Sequence, residues 1–170
     1  MRDAVVETVV GVDRFPDDVR RLTTLDRVDY ADLFCVPVDD ARRRTPEEWA
    51  RALLEEGAIA RRSARRLWTA LGLRLGPPGS PDHVQGWRIA GRGDDWITVE
   101  TGSWYMSGQA VCKVDAGRVS IALFLRHDNP LAPAVWAPVS VFHRRAVPVM
   151  LAQAVAIVAG RGGGAQEAAS

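Results

Sequence analysis

Apolar and polar side chains alternate with a period of two through the middle of the chain. From residue 84 to residue 127 that rhythm is broken by turn-forming residues at 91–95, at Gly102-Ser103 and at Asp115-Ala116-Gly117, which predicts four hairpin-linked antiparallel strands. In the third, Met106, Gly108, Ala110, Cys112 and Val114 share one face and Tyr105, Ser107, Gln109 and Lys113 the other. The first set is expected inward. In the fourth, Val119, Ile121, Leu123, Leu125 and His127 form an apolar face that ends in a histidine. Residues 30–38 read as an earlier strand, and Pro37 confines its end to an edge or a bulge because proline donates no ladder bond.

The period lengthens on either side of this meander. Thr45-Pro46-Glu47-Glu48 predicts a helix start: threonine caps, proline suits the first helical position and Glu48 returns a bond to the cap, with Gly57 as the stop. A second helix over 58–71 aligns Ile59, Ser63, Leu67 and Leu71 beside Ala60, Ala64 and Trp68, with Arg61, Arg62, Arg65 and Arg66 projecting away and Gly72 closing it. Residues 75–82, rich in proline and glycine, form a surface loop. Residues 133–159 are the longest helical candidate, with Pro138 near its start and Pro148 as an interruption. Glycines at 160 and 162–164 then predict a flexible tail, giving one domain over 1–160 and a tail over 161–170.

Composition narrows the function classes. The chain has 170 residues, 47% of them hydrophobic, which suits one α+β domain with a single core. A formal net charge of +1 gives no general attraction to a phosphate backbone, so nucleic acid is not an expected partner. Lys113 is the sole lysine and Asn129 the sole asparagine, a bias of ancestry and not of chemistry. Two cysteines, Cys35 and Cys112, give neither a disulfide framework nor a CxxC spacing and read as buried thiols. Charges at Arg2, Asp3 and Glu7 interrupt the N-terminal apolar stretch, so a signal peptide is not expected and a cytoplasmic location is.

The order of one strand, two helices, an antiparallel meander and a long helix resembles the helix-grip arrangement of the START-like, or SRPBCC (polyketide-cyclase-like), superfamily. More narrowly, Gly86-Trp87-Arg88-Ile89, His127-Asp128-Asn129-Pro130-Leu131 and Val141-Phe142-His143-Arg144-Arg145 with Met150-Leu151 resemble a bacterial family of unknown function within it. The resemblance implies a curved sheet gripped by the C-terminal helix around a cavity for a small apolar or amphipathic molecule. It does not imply one activity.

Candidate chemistry follows from both readings. The small residues Gly108, Ala110 and Cys112 either leave a pocket beneath the last helix or let that helix pack closely. Trp87, Trp96, Trp104 and Trp136, with Glu100, Met106, Gly108, Ala110, Leu123, Leu125 and Phe142, are the candidate ligand-binding residues. His127 and His143 are the candidate acid/base residues for a cyclase- or dehydratase-type reaction, with Glu100, Arg126 or Asp128 to orient one of them. His83, His127 and His143 lack paired metal-ligand spacing, and Gly91-Arg92-Gly93-Asp94 reads as a hairpin turn and not half of a dinucleotide fingerprint, so neither metal nor cofactor is expected.

Between residues 146 and 159 only Gln153 is polar, so the helix there needs cover on more than one side. The cover is either a second copy of the chain, making a homodimer, or the valine-bearing residues 4–12. The run falls short of a bilayer span, so no membrane partner is expected. A third reading is an interaction module without a cavity, using the apolar helix or the arginine-bearing face.

Overall fold

A computed structural model describes residues 6–59 and 64–167 of the chain. Among them, seven strands form one curved, wholly antiparallel sheet in the order β1-β2-β7-β6-β5-β4-β3. The strands are β1 (Glu7–Val10), β2 (Tyr30–Pro37), β3 (His83–Val84), β4 (Trp87–Arg92), β5 (Trp96–Gly102), β6 (Met106–Asp115) and β7 (Arg118–His127). Short helices α1 (Asp17–Arg20), α2 (Pro46–Arg51) and α3 (Arg65–Ala70) precede the meander, and α4 (Leu131–Glu167) follows it.

The meander forms where the alternation predicts it. Met106 pairs with His127 and Asp115 with Arg118, so β6 and β7 run in full register over their length. Pro37 pairs opposite Arg118 beyond the end of β1, where its missing donor costs no ladder bond. The β3–β4 link needs only Gln85 and Gly86, both at positive φ (50° and 92°), which is the geometry that tight antiparallel hairpins require.

Helix α2 starts on the predicted capping box: Thr45 Oγ1 accepts from the Glu48 backbone N–H (3.2 Å), and the Glu48 carboxylate accepts from the Thr45 N–H (2.8 Å). It continues as a π-helical turn, Ala52–Glu56, and Gly57 ends it. Gln153, the lone polar residue in its part of α4, accepts a hydrogen bond from the Ala58 N–H (3.0 Å) and so ties α4 to this helical end. Of the second predicted helix, α3 is described; Ala60, Arg61, Arg62 and Ser63 lie outside the described residues.

Several expectations are corrected. Of the residues 4–12 expected to cover α4, residues 4 and 5 lie outside the described residues, Val6 packs against the main core, and Glu7–Val10 pair with β2 as an edge strand. The sheet face turned away from α4 is instead covered by residues 12–28, where Phe15 and Val19 join Leu33, Val111 and Phe124 in a second core. A single core does not form because Val111, Ala122 and Phe124 make that face apolar too. Helix α4 begins at Leu131, where Asn129 Oδ1 accepts the Leu131 N–H (3.0 Å), and it passes through both prolines and the glycines to Glu167, so the tail expected over 161–170 is helical as far as it is described.

Helix α4 is longer than the apolar run within it: by length and composition alone its stretch 131–161, with a mean hydropathy of 1.3, is long and apolar enough to cross a membrane, a test that the core helix of a soluble protein also passes. Its inward stripe, Trp136, Ala146, Val147, Met150, Leu151, Ala154 and Val158, is buried in the main core. Val141, Phe142 and Val149 are exposed on its outer side.

Candidate functional site

Between α4, the segments 46–59 and 64–71 and the sheet lies a cavity of about 550 Å³. Strand alternation builds its floor. Phe34 comes from β2, Met106, Gly108 and Ala110 from β6, and Ile121, Leu123 and Leu125 from β7, all on one face of the sheet. Helix α4 supplies Trp136, Val139, His143, Ala146 and Met150 at three- and four-residue steps, as one face of a helix does. Leu53, Leu54, Leu67, Trp68 and Leu71 close the third side. Gly108 contributes less room than close approach, since a Cβ there would come within 3.0 Å of Leu125 Cδ2.

This volume falls within the roughly 300–1,000 Å³ of small-molecule sites. Among the described lining side chains only Asp32, Thr101, His143 and the indoles of Trp68, Trp87 and Trp136 offer a hydrogen-bonding N–H or oxygen. Water there is short of partners, and an apolar molecule gains by displacing it.

The polar end of the cavity is a compact cluster. Asp32, fully buried on β2, accepts the Tyr30 hydroxyl (2.6 Å, Oδ2) and faces His143 Nε2 (3.2 Å to Oδ2, 3.3 Å to Oδ1). A carboxylate can only accept, so this pairing places a proton on Nε2 and leaves Nδ1 of His143 for anything else. Burial, and then the hydrogen bond to the Asp32 carboxylate, pushes the Tyr30 phenol well above its ordinary pKa, which keeps it a neutral donor. Aromatic rings pack around the pair: Trp136 lies 5.1 Å from Tyr30 and 5.5 Å from His143, and Phe34 lies 5.9 Å from His143, centre to centre. At the opposite side Trp68 and Trp87 meet edge to face at 5.4 Å.

The structure brings together Trp87, Met106, Gly108, Ala110, Leu123, Leu125, Trp136, Phe142 and His143 of the predicted site. Phe142 lines the cavity while staying 52% exposed, so it belongs to the wall and to the outer surface at once. Three predicted ligand residues fall elsewhere. Parity on β5 turns Ile97 and Val99 to the main core and sends Trp96 and Glu100 to the other face, where Trp96 covers Gly91 and Gly93 and Glu100 pairs with Arg88 and accepts from Gln109 Nε2 (3.0 Å). Trp104 sits in the β5–β6 turn and is 68% exposed.

His127 and His143 do not share the cavity. His127 ends β7, where its backbone N–H donates to Asp29 (2.7 Å) and its buried Nε2 has no partner. Of the predicted orienting groups, Arg126 and Asp128 pair with each other (2.6 Å) at the surface. Among the described residues no cluster of three or more His, Cys, Asp or Glu is arranged to hold a metal ion. The cysteines lie in different cores, Cys35 beside Ser120 and Cys112 in the main core, where burial pushes its thiol up to about 12.

Sequence reasoning missed Asp32 and Tyr30. The signal was present: Asp32 is a lone acid in an apolar strand, at the same parity as Phe34 and Val36. A charge at an inward position requires partners, and therefore marks a site. No family model, curated protein or solved structure matches the chain.

Proposed function

We propose that this protein binds a small apolar or amphipathic molecule in the cavity between the sheet and α4. The reading rests on a single observation, a hollow of about 550 Å³ whose described lining is aliphatic and aromatic apart from Asp32, Thr101 and His143. In this reading the fold is a helix-grip domain of the START-like kind, with the sheet as palm and α4 as the closing element. The test is uptake of the fluorescent apolar probe 1-N-phenylnaphthylamine. Saturable binding near one equivalent, lost on filling the cavity with Ala110→Leu, is the expected result; absence of saturable uptake by the wild-type protein refutes it.

A second reading, an enzyme working by acid/base chemistry, is favoured by the Asp32–His143 pair. A buried carboxylate that fixes one tautomer leaves the second imidazole nitrogen poised to take and return a proton. His127, away from the cavity lining, has no part in it. Deuterium incorporation from D2O next to the carbonyl of hexanophenone, compared between the wild type and His143→Gln, tests this reading. Exchange at the same rate with both proteins removes it.

A further inference from the structure

Acidic residues are missing from two stretches of the chain. None of its 21 Asp and Glu lies in residues 57–81 or 129–166, while arginine occurs in both. These stretches hold α3 and α4, and the cavity reaches the surface between them: Pro138 and Phe142 of α4 line it and are exposed, and Leu67, Trp68 and Leu71 line it and are half-buried. Arg66 on α3 and Arg145 on α4 are exposed without an acidic partner among the described residues.

The outer side of α4 is apolar along most of its length. Leu131, Val141, Phe142 and Val149 are between 44% and 52% exposed, with Ala134, Ala152 and Ala156 exposed on the same side. Only 33% of the helix's most apolar stretch is buried. A continuous apolar surface of this kind marks a contact with something other than water.

Charge decides what that is. Among the described residues Arg145 is the one exposed charge between 131 and 160, and it stands at the middle of the run. A second copy laid along this side with full overlap, in either direction, sets Arg145 against its own equivalent, with no carboxylate nearby on the helix to separate them. An anionic bilayer has no such conflict, because the apolar side chains enter the acyl boundary while the arginine stem carries its head up to the phosphates. Lying on a bilayer requires one apolar side, not the length of a span.

We propose that the outer side of α4, with the arginine-bearing surface of α3 beside it, docks on an anionic lipid bilayer. The mouth of the cavity then opens onto lipid, where an apolar ligand dissolves more readily than in water; that consequence alone rests on the ligand-binding reading.

Flotation of the full chain with phosphatidylcholine vesicles containing about one-third phosphatidylglycerol tests the docking. The protein rises with these vesicles, binds vesicles of phosphatidylcholine alone on the order of tenfold more weakly, and is released by high salt. Arg66→Gln together with Arg145→Gln weakens binding about tenfold. Val141→Asp together with Val149→Asp, at exposed positions whose change spares the core, abolishes it. Protein that floats with neither composition overturns the proposal, and a dimer in light scattering then identifies a second copy as the partner. Flotation lost with the arginine pair but untouched by the two aspartates overturns it as well, since attraction to any polyanion gives that result. Uptake of 1-N-phenylnaphthylamine without vesicles is a separate measurement, so the failure of one reading is distinguishable from the failure of the other.

Discussion

On the face of the sheet turned from α4, Phe124 packs on Phe15 with ring centres 5.0 Å apart, and the fully buried Gln109 uses its whole amide. Its oxygen accepts from the Thr23 hydroxyl (2.7 Å) and the Thr24 N–H (2.9 Å), while its nitrogen donates to Thr24 Oγ1 (2.6 Å) and Glu100 (3.0 Å). Even Lys113 is employed there, reaching Asp115 (2.5 Å), Asp18 (3.2 Å) and Asp95 (3.6 Å). On the other face, Ala110 of the same strand borders a hollow, and two indoles have nothing to donate to. One layer of β-structure thus carries a finished core on one side and an unfinished one on the other. Packing and polar satisfaction were both achievable with this chain, so their shortfall on the α4 side marks the side kept for something else.

The contrast can be broken most strongly at Phe124. Phe124→Ala removes a ring from the filled side and is expected to destabilise the protein by about 4 kcal/mol in urea unfolding. The truncation Leu123→Ala, on the next residue but facing the hollow, is expected to cost about 2 kcal/mol, because its side chain already lacks neighbours on one side. Similar losses at the two positions would mean the two faces are equally packed.

Gln109→Leu sharpens the polar half of the comparison. It removes the partner of the Thr23 hydroxyl, of the Thr24 N–H and of Thr24 Oγ1, for an expected loss of about 1 kcal/mol. Ala110→Leu reverses the pattern, since it adds volume where space exists and is expected to shift unfolding by less than about 1 kcal/mol while abolishing probe uptake.

The smallest effect lies at high pH. Tyr30 and Cys112, both on the α4 face, hold their protons in the folded state beyond the pH at which the unfolded chain gives them up, near 10.0 and 9.0. Where the unfolded state binds fewer protons than the native one, stability falls as pH rises. The stabilisation is therefore complete below pH 9 and declines above it, for Cys112 up to about pH 12. Unfolding midpoints across this range should fall less steeply in Cys112→Ala than in the wild type.

Much of this was legible in the residues. The alternation in β6 and β7 fixed which side chains face α4, because a strand offers only two faces, and the Thr45–Glu48 box announced its helix. The second core was harder to see: residues 12–28 carry scattered apolar positions without a period, so their role depends on folding back over Val111 and Phe124. Trp96 and Glu100 were misplaced by weighing residue type above parity, and Asp32 was missed for the same reason. The unpartnered indoles have no sequence signature, since whether Trp49 or Trp136 finds a carbonyl depends on which backbone happens to pass beside it.

Helix α4 holds Pro138 and Pro148, and each deprives a carbonyl one turn earlier, at Ala134 and Arg144, of its amide donor. The stretch bearing Trp136, Phe142 and His143 is thereby missing two rungs of its own scaffold, whereas β6 and β7 are laced to neighbours on both edges. Amide hydrogen exchange should run faster in that stretch than in either strand. On the proposed ligand-binding reading, the ceiling would flex to fit an occupant and the floor would stay still.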